Sequence, residues 1–129
     1  MNAPRRLRAI RGATTVEKDE PREIADATAE LVREIASRNA IAPDDVVSAF
    51  FTMTADLASG FPATAAREAL WGDVPMLCTV EVPVAGALPR CIRVLVHVET
   101  PLPREDVRHV YLRAARTLRP DIPDEPASA

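Results

Sequence analysis

Apolar and polar positions alternate most clearly near the middle of the chain. Ile92, Val94, Val96 and Val98 share one parity with Arg90, while Cys91, Arg93, Leu95, His97 and Glu99 occupy the other. A period of two predicts a strand with its Ile/Val side on a core and its charged side on a wetter face. A second β-branched run begins at Met76 and is separated from this strand by Ala85-Gly86-Ala87. The two runs together predict a hairpin over Met76–Thr100. Glu81 and Arg93 would then lie on neighbouring central strands, where each charge needs a partner. The clearest helix is predicted over Pro21–Arg38. Ile24, Thr28, Leu31 and Ile35 recur at helical spacing, and Ala27 and Val32 widen the stripe. Asp19, Glu20 and Pro21 suit its first turn. Val46–Met53 reads as a buried strand and Pro62–Leu70 as a short alanine-rich helix. Leu7–Arg11 reads as a short strand, with Gly12 permitting a bend after it. Val107, Val110, Tyr111 and Ala114 have helical spacing, so another helix is expected after Pro101–Asp106.

The chain has 129 residues, 47% of them apolar, which suits one domain with a sizeable core. That domain is expected over residues 1–121, with residues 122–129 a mobile, proline-rich tail. With few aromatic residues, the core must be built mainly from Ala, Val, Leu and Ile. The formal net charge of -3 does not favour nucleic acid or an anionic membrane surface as a partner. No apolar run is long enough to cross a bilayer, and no export segment is read, so a cytoplasmic location is expected. Cys78 and Cys91 are then expected as free thiols. There is no phosphate-binding glycine loop, no dinucleotide motif and no close Cys/His array. No metal and no cofactor are expected.

What the residues do offer is a set of arginines beside titratable groups. Arg11 follows the first strand, Arg67 lies in the short helix and Arg93 on the central strand, and Glu81 can orient one of them or accept from a hydroxyl. Guanidinium forks bind carboxylates bidentately, so these residues suit a pocket for a small carboxylate-bearing molecule. Solvated surface and structural ion pairs account for the same residues more readily, and their spacing alone does not single out a pocket.

Four stretches carry a more specific signal: IRGATTVEKDEPREI (Ile10–Ile24), FPATAAREAL (Phe61–Leu70), VPMLCTVEVPVAGALPRCIRVLVHVET (Val74–Thr100) and VRHVYLRAARTLRPD (Val107–Asp121). In this order they resemble the monofunctional, trimeric class of chorismate mutase, and the likeness runs from Leu7 to Asp121. The resemblance implies an α/β fold, a mixed sheet packed with helices, three copies of which form a pseudo-α/β barrel with sites at the subunit boundaries. It implies isomerisation of chorismate to prephenate by a concerted Claisen rearrangement, without cofactor or covalent intermediate. By the same resemblance, Arg93 of CIRV is the donor to the ether oxygen, and Glu81 accepts from the ring hydroxyl and orients an arginine. Arg11 and Tyr111 bind substrate carboxylates, and Cys78 lines the pocket wall. Phe61 and Arg67 come from a neighbouring subunit, and Leu118 and Arg119 order over bound ligand. Thr64 stands where many relatives carry lysine, and Trp71-Gly72 reverses the usual order. His97 reads as a satisfied strand residue, and His109 as a partner of an intersubunit carboxylate. Two other readings stand beside this one: an isomerase or lyase acting on another small dicarboxylate, and a trimeric binding domain without turnover.

Overall fold

The computed structural model describes residues 4–122. Strand β1 (Arg6–Thr15) leads into helix α1 (Pro21–Asn39). Strand β2 (Val46–Met53), helix α2 (Pro62–Ala69) and strand β3 (Met76–Val80) follow, then strand β4 (Cys91–Thr100) and the two-residue strand β5 (Val110–Tyr111). The sheet order is β3-β2-β4-β1-β5. β4 runs antiparallel to both neighbours, while β3 is parallel to β2 and β5 is parallel to β1. The long alternating strand is therefore central and reversed among four strands that share one direction.

Helix α1 forms where its stripe predicts. Ile24, Ala27, Thr28, Leu31, Val32 and Ile35 are all buried, and each large aliphatic side chain removed from water contributes roughly 1.5–3 kcal/mol. Ala40, in the left-handed region at φ 53°, ends the helix. The stripe packs with Ile10, Val94, Val96, Val98 and Phe51 on one face of the sheet. Trp71 is buried there too, its ring centroid 6.4 Å from that of Phe51. Gly12 does not bend the chain: β1 runs straight through it. A Cβ at Gly12 would come within 2.8 Å of Ile35 Cδ1 and 3.2 Å of Leu31 Cδ1, so the glycine allows α1 to lie close against the strand.

Two other expectations are corrected. The runs on either side of Ala85-Gly86-Ala87 are strands, but they do not pair as a hairpin, because β2 lies between them. Crossing one intervening strand spans only about 10 Å, well within the reach of residues 81–90. The stretch from Val107 onward is not helical. A 3₁₀ turn at Arg104–Asp106 leads into β5, and a second 3₁₀ turn spans Arg113–Leu118. Two anchors hold this stretch extended. The buried Asn39 side chain accepts from Arg108 N–H (2.7 Å) and donates to Arg108 C=O (2.9 Å), and Leu112 N–H donates to Ala13 C=O (2.9 Å).

Both helices pack on the same face of the sheet. On the other face, Leu7, Phe50, Leu77 and Leu95 are exposed. The 3₁₀ turn after β5 covers one end of that face, where Ala13, Cys91, Tyr111 and Ala115 form a second buried cluster. Of the tail expected to be mobile, Ile122 packs against this cluster, and residues 123–129 lie outside the described residues.

Candidate active site

The open face of the sheet carries a cleft of about 390 Å³ between the charged ends of β1 and β4, with β2 and β5 on its flanks. Strand register explains its composition. Arg11 lies opposite Leu95, and Ala13 opposite Arg93. Thr52 of β2 lies opposite Arg93 on its other side, and Tyr111 of β5 pairs with Ala13. Period two then sends Arg11, Thr52, Arg93 and Leu95 to the face away from the helices. The cleft is lined by Arg11, Phe50, Thr52, Glu81, Arg93, Leu95 and Tyr111.

At its centre Arg93 and Glu81 form a bidentate pair. Nε donates to Oε2 at 3.1 Å and Nη2 to Oε1 at 2.9 Å, which commits two of the five guanidinium N–H donors. Glu81 is placed by its own backbone N–H, which donates to Met53 C=O at 2.8 Å, just beyond the end of β3. Thr52 Oγ1 lies between the strands and donates to Glu81 Oε2 at 2.5 Å. The guanidinium is therefore fixed by a carboxylate that is itself fixed by two further hydrogen bonds. Hydrogen bonding from Arg93 holds the Glu81 carboxyl below its ordinary value, outweighing the opposing effect of burial, and Thr52 lowers it further. The same pairing raises Arg93 above the ordinary guanidinium value. Both groups are charged at neutral pH. With the Arg93 side chain 46% exposed, solvent screens the pair, and its worth lies in geometry more than in stability.

Tyr111 is 6% exposed and reaches the cleft from β5 instead of from a helix. Its hydroxyl is a neighbour of Arg119, whose guanidinium is paired bidentately with Asp121 at 3.1 and 2.9 Å. Asp121 also feels the positive charge of Arg11. The last turn thus brings a cation and a carboxylate beside the two residues expected to bind substrate carboxylates.

The structure brings Arg11, Glu81, Arg93 and Tyr111 together and leaves the other expected residues outside the cleft of their own chain. Cys78 does not line this cleft in its own chain. It pairs in register with Phe51, shares its face and packs against the main core on the helix side. Phe61, 69% exposed, immediately precedes α2, and Arg67 is exposed on that helix; both belong to the helix layer. Leu118 and Arg119 lie at the end of the last turn, beside the cleft without lining it. Both cysteines are free, and burial pushes the Cys91 thiol up to about 11, so it is protonated and packs as an apolar side chain. His97 is satisfied as expected: its Nδ1 lies 3.3 Å from Ser48 Oγ, and its ring meets Phe50 edge-on at 6.0 Å. Within its own chain, His109 Nδ1 accepts from the backbone N–H of Arg11 at 3.0 Å.

Sequence reasoning missed Thr52 and Phe50, and it did not foresee the contact of His109 with Arg11. The alternation of Val46–Met53 already sets Phe50 and Thr52 on one parity, and the position of β2 beside β4 was the fact needed to turn that parity toward Arg93.

Residues 7–122 match the profile of the family described as chorismate mutase type I. The chorismate mutase AroH of Bacillus subtilis (strain 168) is 45% identical over 117 residues, which cover 90% of this chain and 92% of the relative. The chorismate mutase AroH of Thermus thermophilus is 50% identical over 117 residues, covering 90% and 96%. Among solved structures, a chorismate mutase from Clostridium thermocellum superposes with a TM-score of 0.84 at 44% identity, covering 85% of this chain and 98% of its own.

Proposed function

This chain belongs to the chorismate mutase type I family, and on that premise we propose that it isomerises chorismate to prephenate in the cleft centred on Arg93, completed by a second copy of the chain. The reaction is one concerted pericyclic step. The C–O ether bond breaks as the new C–C bond forms, and no proton is transferred. Two things lower such a barrier: holding the flexible substrate in its compact chair-like conformer, and stabilising the negative charge that grows on the ether oxygen.

The observation that carries this reading is the fixed Arg93–Glu81 pair in a cleft shared with Arg11 and Tyr111. Arg93 directs its remaining donors at the ether oxygen, already oriented when charge develops there. One such donor contributes about 3–4 kcal/mol to the transition state. Ionised Glu81 accepts from the ring hydroxyl and keeps the guanidinium in place; it is not a base. Arg11 and Tyr111 take up the substrate's carboxylates. Substrate also competes with Asp121 for Arg119, so the last turn closes over bound ligand with Leu118 as its apolar cover.

The exposed apolar residues Phe50, Leu77 and Leu95 on the open sheet face support assembly as a trimeric pseudo-barrel, in which subunits cover one another's sheets. Phe61, Arg67 and Cys78, which lie outside the cleft of their own chain, then serve a neighbour's site: Phe61 as an apolar wall, Arg67 as a carboxylate partner and Cys78 as part of the lining. Among the described residues no helix is long and apolar enough to cross a membrane, and we place the enzyme in the cytoplasm with the small-molecule metabolites it acts on.

An ultraviolet assay of chorismate loss, with prephenate identified as product, tests the reading directly. Turnover is expected without added metal or cofactor. Tight binding of chorismate without turnover would support instead a binding domain, and turnover only of another dicarboxylate would replace the substrate.

A further inference from the structure

His109 has no part in the chemistry above, yet it touches the strand that carries Arg11. Its ring nitrogen Nδ1 accepts from the Arg11 backbone N–H at 3.0 Å, on the edge of β1 that faces β5. β5 pairs with β1 only at Gly12–Val110 and Ala13–Tyr111, so the imidazole supplies an acceptor immediately before the first backbone pair. The ring is held from behind, because Asn39, 2% exposed on α1, clamps both backbone groups of Arg108. On the other side Val110 and Tyr111 are fixed in the sheet. One residue therefore connects an anchored backbone to the cleft arginine, two positions before the cleft tyrosine.

We propose that neutral His109 is a positioning residue for Arg11: its Nδ1 fixes β1 where the arginine must meet a substrate carboxylate, and protonating the ring breaks that contact and weakens substrate binding. The proposal rests on the reading of Arg11 as a carboxylate-binding residue. A protonated imidazole carries N–H on both nitrogens and cannot accept from a backbone N–H. The surroundings all act against that proton. Arg11 and Arg119 face the ring as cations, and the hollow on its outer side, about 370 Å³, is lined by Arg8, Arg104 and His97. Arg119 is itself paired with the Asp121 carboxylate. Burial first, then Arg11 and Arg119, lower His109 below its ordinary 6.5. The hollow gives protons a path to the ring. Glu81 titrates below its ordinary 4.5.

The test is the pH dependence of KM and kcat for the native enzyme, His109→Asn and His109→Ala, together with NMR titration of the Arg11 amide in the native protein. Asn keeps an acceptor oxygen near the position of Nδ1 but does not titrate. For the native enzyme KM is expected to rise by about tenfold as pH falls through the imidazole titration, with kcat changing less than about twofold. His109→Asn should keep the native KM at pH 8 and lose the rise. His109→Ala should show the raised KM at every pH. The Arg11 amide should shift with the protonation of His109 whether or not chorismate is turned over, so failure of this contact is distinguishable from failure of the assigned reaction. A native KM that stays flat through the titration, an unchanged rise in His109→Asn, or an Arg11 amide indifferent to His109 would each overturn the proposal.

Discussion

Arg93 offers charge, but it is the two hydrogen bonds from its fork to Glu81 that give the charge a direction. Lysine would supply the cation without the planar, two-point hold. The carboxylate partner matters for the same reason. Glu81→Gln keeps one acceptor oxygen, loses the bidentate pair and leaves Thr52 donating to a weaker acceptor. Its kcat is expected to fall by roughly ten- to a hundredfold, measured by initial rates at saturating chorismate. The sign of the pH dependence follows from the lowered carboxyl of Glu81. A depressed carboxyl contributes stability that is present above its unfolded value near 4.5 and is lost as pH falls through the lower folded value. The kcat of the native enzyme should therefore hold through the ordinary carboxylate range and decline only below it. A decline in kcat centred well above 4.5 would contradict an ionised Glu81 held by Arg93.

At the scale of elements, the close approach of α1 to β1 through Gly12 sets the depth of the core beneath the cleft. Gly12→Ala would drive a methyl group into Ile35 and Leu31 and should destabilise the fold by about 1–2 kcal/mol. Asn39→Ala would strip the partners from both backbone groups of Arg108 and should cost about 2–3 kcal/mol. Because β5 depends on that clamp, it should also raise KM. Denaturant unfolding at fixed protomer concentration checks both values. The long helix, β2 and β4 were legible because each is a strong periodic pattern that needs only its own residues to read. The hairpin was misread because local pattern gives the direction of two strands but not what lies between them, and β2, apolar enough for the interior, took that place. The helix expected at Val107–Ala114 failed for a related reason. Its spacing fits a helix, yet the hydrogen bonds that hold it extended come from Asn39 and Ala13, distant in sequence. The same limit hid Phe50 and Thr52 from the site, while Arg11, Glu81, Arg93 and Tyr111 were legible through the motifs that contain them.

At the scale of the whole molecule, the proposed site is shared between copies of the chain. Arg93 and its partners lie on the open sheet face, whereas Phe61 and Arg67 stand on the helix layer, away from that cleft. A site shared between copies predicts complementation. Arg93→Ala and Arg67→Ala chains, each poorly active alone, should regain activity when unfolded together and reassembled, since about a quarter of the sites in randomly mixed rings combine an intact Arg93 with an intact Arg67. Sedimentation of the native protein should give the mass of three chains. No recovery on mixing, with both variants assembled, would place the complete site within one chain.

The central claim is that a fixed guanidinium stabilises charge on the breaking C–O bond, and the kcat of Arg93→Ala measures it most directly. In protein that still assembles and still binds chorismate, kcat should fall by at least about 10²–10³-fold, and Arg93→Lys should recover only a small part of the loss. A kcat within a few-fold of native, with the effect confined to KM, would contradict the account.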